Sequence, residues 1–155
     1  MRIPERSRVP LRATVRARAG AKRINGRCHL ICQTSALNVD EVVRRSRHAE
    51  GIGADALMIL PPYFEGPSDD DGFVEFYREI DAAVGIDIVG YNIPQATGIS
   101  VSPELLRRLI ELPNFNYIKD SGGDLTTHQE YLQITDGVLN GADPTTIYSL
   151  LAGTK

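Results

Sequence analysis

Short apolar runs alternate with longer amphipathic runs from about residue 28 to the C-terminus. The apolar runs are partly β-branched, and they are too apolar for strands that keep one face in water. Such runs are typical of parallel β-strands that are buried on both faces. We therefore predict five strands, at residues 29–33, 56–60, 86–90, 115–119 and 137–140.

The amphipathic runs between these strands carry helix signals. Each begins with a residue that commonly caps a helix N-terminus, and in two of them a proline follows at the first helical position. The order βαβαβαβαβα that results predicts an α/β fold with a parallel sheet. The predicted helix starts are Asn38 with Glu41, Ser68 with Asp71, Ser102 with Pro103, Asp124, and Asp143 with Pro144.

Two parallel α/β folds fit this order of elements. A doubly wound sheet usually carries a glycine-rich phosphate loop after a strand, and the chain contains neither GxGxxG nor GxxxxGK[ST]. A (β/α)8 barrel has eight units and at least about 200 residues, whereas this chain of 155 residues has about five units. The periodicity alone leaves both folds open.

The composition predicts a globular protein, with the cytoplasm as the default location. The chain shows neither the run of about 18 apolar residues that a transmembrane helix needs nor the apolar core of a signal peptide. Cys28 and Cys32 have a spacing that matches no common zinc pattern, and His29, His48 and His128 are scattered. We therefore expect no metal and no cofactor.

The charge is distributed unevenly along the chain. Residues 1–27 hold nine Arg or Lys residues and one acid, a net charge of +8, whereas the whole chain carries −3. A basic arm on an acidic body is compatible with a nucleic-acid-binding tail. The arm has no aromatic residue that could stack on a base and no known binding motif. We therefore expect neither nucleic acid nor a membrane as a partner.

Four segments narrow the choice of fold, at residues 54–64, 90–98, 117–121 and 140–143. Together they resemble the dihydrodipicolinate synthase / N-acetylneuraminate lyase family, and the YNIP and IKDS sequences in the second and third are the most specific. The resemblance implies a partial TIM (β/α)8 barrel of about five βα units over residues 28–155, from the third strand to the seventh helix of a truncated chain. The arm of residues 1–27 matches the family poorly, and Pro10 would interrupt a helix there.

The resemblance implies a Schiff-base lyase or aldolase in which Lys119 is the nucleophile and Tyr91 transfers protons. The ordinary pKa of lysine is about 10.4, so the amine needs an apolar environment to lose its proton at neutral pH. Barrel enzymes place such groups at the carboxyl ends of strands, and a strand period of two puts Phe115, Tyr117 and Lys119 on one face. Without the resemblance, a lysine that extends into solvent would be the simpler interpretation.

Four further residues are candidates for substrate binding. Thr97 shapes the loop after the tyrosine, and Ser121 could bond a substrate oxygen. Gly141 and Asp143 resemble the positions that bind the sugar-acid chain in lyase members of the family. A helix cap explains Asp143 equally well, because a proline follows it.

Two residues depart from the family pattern and limit the substrate. Ala96 stands where dihydrodipicolinate synthases carry an arginine that holds the carboxylate of the second substrate, and Phe64 replaces a tyrosine of the proton relay. These changes argue against aspartate semialdehyde as the acceptor, and so against dihydrodipicolinate synthesis proper. They favour another subgroup of the family: sugar-acid aldolases, hydroxy-oxoacid aldolases or dehydratases. The expected substrate is pyruvate or a related 2-oxo (sugar) acid.

The expected activity of this chain alone is weak or absent. The reason is that the family's carboxylate-binding GTTGE-type segment would precede residue 1. The parent enzyme is also expected to be a homo-oligomer, either a dimer or a tetramer. The alternative interpretation is a non-catalytic partial barrel or pseudo-enzyme.

Overall fold

Five parallel strands in sequential order form one sheet in the computed structural model, which describes residues 12–64, 66–67 and 69–154. Each of the five predicted strands is present, although the bounds differ by a few residues. The order β1-β2-β3-β4-β5 has no reversal, so the barrel alternative is confirmed over the doubly wound sheet, in which the strand order reverses. The strands are β1 (Ile31–Gln33), β2 (Ala56–Ile59), β3 (Asp87–Asn92), β4 (Phe115–Asp120) and β5 (Val138–Asn140).

Helices connect consecutive strands and cover one face of the sheet. A 3₁₀ turn, Asp143–Thr145, precedes the last helix. None of the described helices is long and apolar enough to cross a membrane. The helices are α1 (Arg12–Ile24), α2 (Val39–Gly51), α3 (Asp70–Asp81), α4 (Pro94–Thr97), α5 (Pro103–Leu109), α6 (Leu125–Ile134) and α7 (Thr146–Leu151).

Three of the predicted helix caps are confirmed. The side chain of Asn38 accepts a hydrogen bond from the N–H of Glu41 at 2.9 Å. The hydroxyl of Ser102 accepts one from the N–H of Leu105 at 3.0 Å. Asp124 accepts from two backbone N–H groups at 3.2 Å. Each cap satisfies N–H groups that the first helical turn leaves unpaired, so the polar residue fixes where the helix begins.

Two predicted caps need comment. Ser68 lies outside the described residues, and the cap of α3 is Asp69, whose carboxylate accepts from the N–H of Gly72 at 2.9 Å. Asp143 is the first residue of the 3₁₀ turn rather than its cap, and Ala142 precedes that turn without a side-chain hydrogen bond. The capping explanation for Asp143 is therefore wrong.

The basic arm is helical where the structure describes it. Helix α1 occupies Arg12–Ile24, and Ala17 on this helix packs against the main apolar core. Pro10 and the rest of residues 1–11 lie outside the described residues. The packing of α1 shows that the C-terminal half of the arm contributes to the folded body.

The two faces of the sheet have different surroundings. Side chains that point toward the helices are buried in one apolar cluster with α2, α3, α5 and α6. Ala56 and Val89 are also buried but lie outside that cluster, on the opposite face, as the alternation of a strand requires. The helix-facing core residues of the strands are Cys32, Leu57, Ile59, Ile88, Phe115, Ile118 and Val138.

A bulge at Asn116 changes which residues of β4 share a face. Ile88 pairs with Phe115 but Val89 pairs with Tyr117, so Asn116 is an extra residue in the ladder. Phe115 consequently turns toward α3, where its ring meets Tyr77 edge to face at a centroid distance of 5.1 Å. The expectation that it shares a face with the lysine of this strand is wrong.

Candidate active site

Tyr91 and Lys119 lie side by side at the carboxyl ends of two neighbouring strands. They are direct partners in the register of β3 and β4, and both point to the face away from the helices. The Nζ atom of Lys119 lies 4.1 Å from the centroid of the Tyr91 ring, which is the geometry of a cation–π contact. Both side chains are half-buried, so the pair is accessible to a small molecule.

Ser121 brings a hydroxyl group to the same place. Its Oγ atom is 3.5 Å from the phenol oxygen of Tyr91 and 3.1 Å from the carbonyl oxygen of Gly141. The pKa of Tyr91 lies below its ordinary value, first because of the hydrogen bond from Ser121 and then because of the nearby ammonium group of Lys119. Both effects favour the phenolate and outweigh the partial burial of the ring.

Gly141 closes the site from the side of β5. Its N–H donates to the carbonyl oxygen of Asp120 at 2.7 Å, which continues the ladder beyond the strand. A Cβ atom at this position would collide with Oγ of Ser121 and would lie 2.6 Å from Cε of Lys119. The glycine therefore allows the lysine and the serine to occupy this corner together.

Thr97 and Asp143 are placed differently from the four residues above. The hydroxyl of Thr97 is 3.1 Å from the carbonyl oxygen of Ile93 and 3.0 Å from that of Ile99, so it holds its own loop together. Asp143 is exposed, and its carboxylate makes no hydrogen bond to another residue in the described part of the chain. The structure thus brings Lys119, Tyr91, Ser121 and Gly141 together. Thr97 and Asp143 make no side-chain hydrogen bond to any of these four residues in the described part of the chain.

A buried polar network behind the site is absent from the sequence predictions. Asn92 and Asp120 each follow a candidate catalytic residue, and Asp120 contacts His128 of α6. Their position next to Tyr91 and Lys119 was a signal that could have found the first two. His128 is remote in sequence from both strands and could not be found this way.

A second missed contact joins the two loops that flank the site. The side-chain amide of Gln95, on α4, donates to the carbonyl oxygen of Ser121 at 2.7 Å. This bond fixes the loop after β3 against the loop after β4.

Among the described residues, no group of three His, Cys, Asp or Glu side chains is arranged to hold a metal ion.

The chemical capacity of the site follows from these groups. A primary amine adjoins a phenol whose pKa is lowered and a hydroxyl that is hydrogen-bonded to that phenol. An amine can add to a carbonyl carbon, and a phenol at hydrogen-bonding distance can move the protons of that addition.

The fold and the site together define a partial (β/α) barrel with its polar groups at the carboxyl ends of the strands. The chain belongs to the dihydrodipicolinate synthetase family, whose model matches residues 15–155. The match therefore includes most of α1 as well as all five βα units. This confirms the family and the fold that the four sequence segments indicated.

The chain is similar to proteins about twice its length. It is 33% identical to a 4-hydroxy-tetrahydrodipicolinate synthase of Methanothrix thermoacetophila, over 80% of this chain and 43% of the relative. It is 35% identical to the synthase of Stutzerimonas stutzeri, over 85% and 46%. A crystal structure of the chloride-inhibited dihydrodipicolinate synthase from Acinetobacter baumannii, complexed with pyruvate, has a TM-score of 0.87 at 30% identity and matches 92% of this chain and 50% of that one.

Proposed function

We propose that this chain carries the Schiff-base site of a lyase that acts on pyruvate or a related 2-oxo acid. The observation that supports this most directly is the contact between the Lys119 ammonium and the Tyr91 ring, with Ser121 beside the phenol oxygen. The similar enzyme of Acinetobacter baumannii was crystallised with pyruvate, which agrees with this substrate class.

The proposed reaction begins with the unprotonated amine of Lys119. Its nitrogen attacks the ketone carbon of the 2-oxo acid, and the carbonyl oxygen becomes the hydroxyl of a carbinolamine. Tyr91 donates a proton to that hydroxyl, which leaves as water, and a protonated imine remains on the lysine. The Tyr91 phenolate left by that step accepts a proton from the carbon next to the imine, which gives an enamine, the species that forms or breaks a carbon–carbon bond. The hydroxyl of Ser121, 3.5 Å from the phenol oxygen, can pass a proton to or from Tyr91 while exchanging one with water.

Two residues favour an acceptor other than aspartate semialdehyde. Ala96, on α4, exposes a methyl group where the family resemblance implies a carboxylate-binding arginine. Phe64 is 59% exposed and has no atom that can carry a proton, so it cannot replace the relay tyrosine. We therefore infer another subgroup of the family, although the similar sequences are named as 4-hydroxy-tetrahydrodipicolinate synthases.

Assembly into a homo-oligomer is part of the same proposal. In the described part of the chain, β1 and β5 each pair with a single neighbouring strand, so each leaves one edge of the sheet unpaired. Unpaired strand edges favour association with another chain. Light scattering coupled to size-exclusion chromatography will give the mass of the assembly, and a monomer at micromolar concentration would contradict this part.

Trapping with borohydride can identify the reactive amine, because the chain contains few lysines. The only lysines are Lys22, Lys119 and Lys155, so three side chains and the N-terminal amine are the possible sites of an adduct. Incubation with pyruvate and borohydride, followed by peptide mass spectrometry, should add a reduced pyruvyl group to Lys119. The adduct should vanish in Lys119→Ala and persist in the matched control Lys22→Ala.

The outcomes separate the two interpretations of the chain. An adduct that persists in Lys119→Ala would exclude Lys119 as the nucleophile. A folded chain without any adduct would support the alternative of a non-catalytic partial barrel. Turnover of aspartate semialdehyde with pyruvate would contradict the inference drawn from Ala96 and Phe64.

A further inference from the structure

We propose that His128 is a positioning residue for Lys119, acting through the carboxylate of Asp120. The catalytic consequence of this role rests on the proposed function, whereas the positioning itself does not. His128 lies on α6, behind the sheet, and its Nδ1 atom is 2.9 Å from Oδ2 of Asp120. Asp120 directly follows the lysine on β4.

The three side chains of the network are removed from solvent. Asn92 is 2% exposed, and Asp120 and His128 are each 3% exposed. A buried carboxylate is costly unless its oxygens accept hydrogen bonds. Oδ1 of Asp120 accepts from Nδ2 of Asn92 and from the N–H of Gly122, both at 2.9 Å, and Oδ2 faces the histidine. Both oxygens therefore have partners, and removal of His128 would leave Oδ2 without its buried one.

The network joins the same two strand ends that carry the candidate catalytic pair. Asn92 and Asp120 are register partners, one residue beyond the partners Tyr91 and Lys119. Successive residues of a strand point to opposite faces, so the network lies on the helix side and the catalytic pair on the open side of the same backbone. A shift of the backbone at Asp120 would therefore move Lys119 relative to Tyr91.

His128 also connects this backbone to the next strand. The histidine tautomer with its hydrogen on Nδ1 donates to Oδ2 of Asp120 across this contact. The Nε2 atom lies 3.2 Å from the hydroxyl of Thr154, which is 3.3 Å from the carbonyl oxygen of Val138 on β5. Both ring nitrogens thus have a partner, so the ring is fixed in place and holds the carboxylate of Asp120 against α6.

Three substitutions at His128 test the contacts of its two ring nitrogens separately. His128→Asn keeps an N–H donor near the place of Nδ1 and should preserve the bond to Asp120. His128→Gln places its amide near the position of Nε2 and should lose that bond. His128→Leu removes both contacts. The Asn and Gln variants are a matched pair, because each replaces the ring with an uncharged amide of similar polarity.

The ionisation of Tyr91 reports the position of Lys119 without any substrate. Each variant is titrated by ultraviolet difference absorbance against the same variant with Tyr91→Phe, which isolates this tyrosine from the five others. In His128→Leu and His128→Gln, the lowered pKa of Tyr91 should return toward the ordinary value, since Lys119 and Ser121 move away. In His128→Asn it should stay as in the wild-type chain. A general loss of stability would not shift one phenol selectively.

Imine formation provides the functional readout. The rate of borohydride-trapped adduct formation at Lys119 should fall about tenfold or more in His128→Leu and His128→Gln, because misplacement by a fraction of an ångström is costly in rate. It should stay within about twofold in His128→Asn.

The result that would overturn the positioning role is an unchanged Tyr91 titration in both His128→Gln and His128→Leu. Absence of any pyruvate adduct in the wild-type chain would instead count against the proposed function, and the Tyr91 titration would still decide the positioning role. If circular dichroism shows that His128→Leu does not fold, the comparison of His128→Asn with His128→Gln decides it.

Discussion

Tyr91 and Lys119 are paired across two parallel strands, with the lysine nitrogen 4.1 Å from the centre of the tyrosine ring. Twenty-eight positions separate them in the chain, and the sheet register alone brings them together. The contact places an amine and a phenol where one small carbonyl compound can reach both, and each prediction below concerns a part of this arrangement or its support.

Removal of the Tyr91 hydroxyl should slow imine formation without preventing it. Tyr91→Phe keeps the ring under the lysine and loses the proton-transfer group, so the trapping rate should fall by about 10²-fold, the low end for general acid–base catalysis. The measurement is the time course of reduced adduct at Lys119 by mass spectrometry. Tyr148→Phe is the matched control, because Tyr148 is exposed on α7 and should leave the rate unchanged.

The acidity of Tyr91 should depend on Ser121. Because the hydrogen bond from Ser121 is the largest cause of the lowered pKa, Ser121→Ala should raise the pKa of Tyr91 toward its ordinary value of 10.0. The phenolate would then appear at higher pH than in the wild-type chain. Spectrophotometric titration, with Tyr91→Phe subtracted, measures this shift, and a pKa that stayed the same or fell would contradict the assigned cause.

Gly141 should not tolerate a side chain. Gly141→Ala would drive a methyl group into Ser121 and Cε of Lys119, so we expect a loss of about 1–3 kcal/mol in stability, as for other overpacked sites. The trapping of pyruvate should fall at the same time. Gly51→Ala is the control, because among the described residues a Cβ atom there would meet no atom within 4 Å beyond its chain neighbours and the backbone of its own helix. Equal stability of the two variants in urea would show that the corner can rearrange.

Acid should weaken the N-terminal turn of α2 through Glu41. Hydrogen bonds from Arg44 first, and from Arg45, lower the pKa of this carboxyl from 4.5 to about 2. A lowered folded-state pKa contributes stability above the unfolded value, and this contribution is lost as the pH falls from about 4.5 toward 2. Because solvent screens the pair, Glu41→Gln should cost at most about 1 kcal/mol at neutral pH.

The pH dependence of the stability lost in Glu41→Gln distinguishes an electrostatic effect from a change in packing. Near pH 2 the Glu41→Gln variant and the wild-type chain should have nearly equal stability, as measured by chemical denaturation. Glu75→Gln is the matched control, because the Glu75 carboxylate lies 3.6 Å from Arg78 in an exposed pair and should change stability little at either pH. A pH-independent cost for Glu41→Gln would contradict the electrostatic explanation.

Local sequence determined the elements of this fold. Apolar runs of strand length and polar caps such as Asn38, Ser102 and Asp124 act over three or four residues, so their effect can be read without knowing the rest of the chain. The segments around Tyr91 and Lys119 also indicated the family, which the family model over residues 15–155 confirms. The individual roles of the site residues stay predictions.

Tertiary structure decided the features that depend on register and on distant packing. The bulge at Asn116 turns Phe115 toward α3, since the ladder between β3 and β4 has one extra residue that no strand periodicity reveals. The approach of Gly141 to Lys119, and of His128 to Asp120, joins positions on different elements. The sequence by itself determined the five strands, the five helical segments that follow them and which lysine ends a strand, but it did not indicate helices α1 and α4. The side chains that surround and support that lysine were decided by the fold, because their contacts are between residues far apart in the chain.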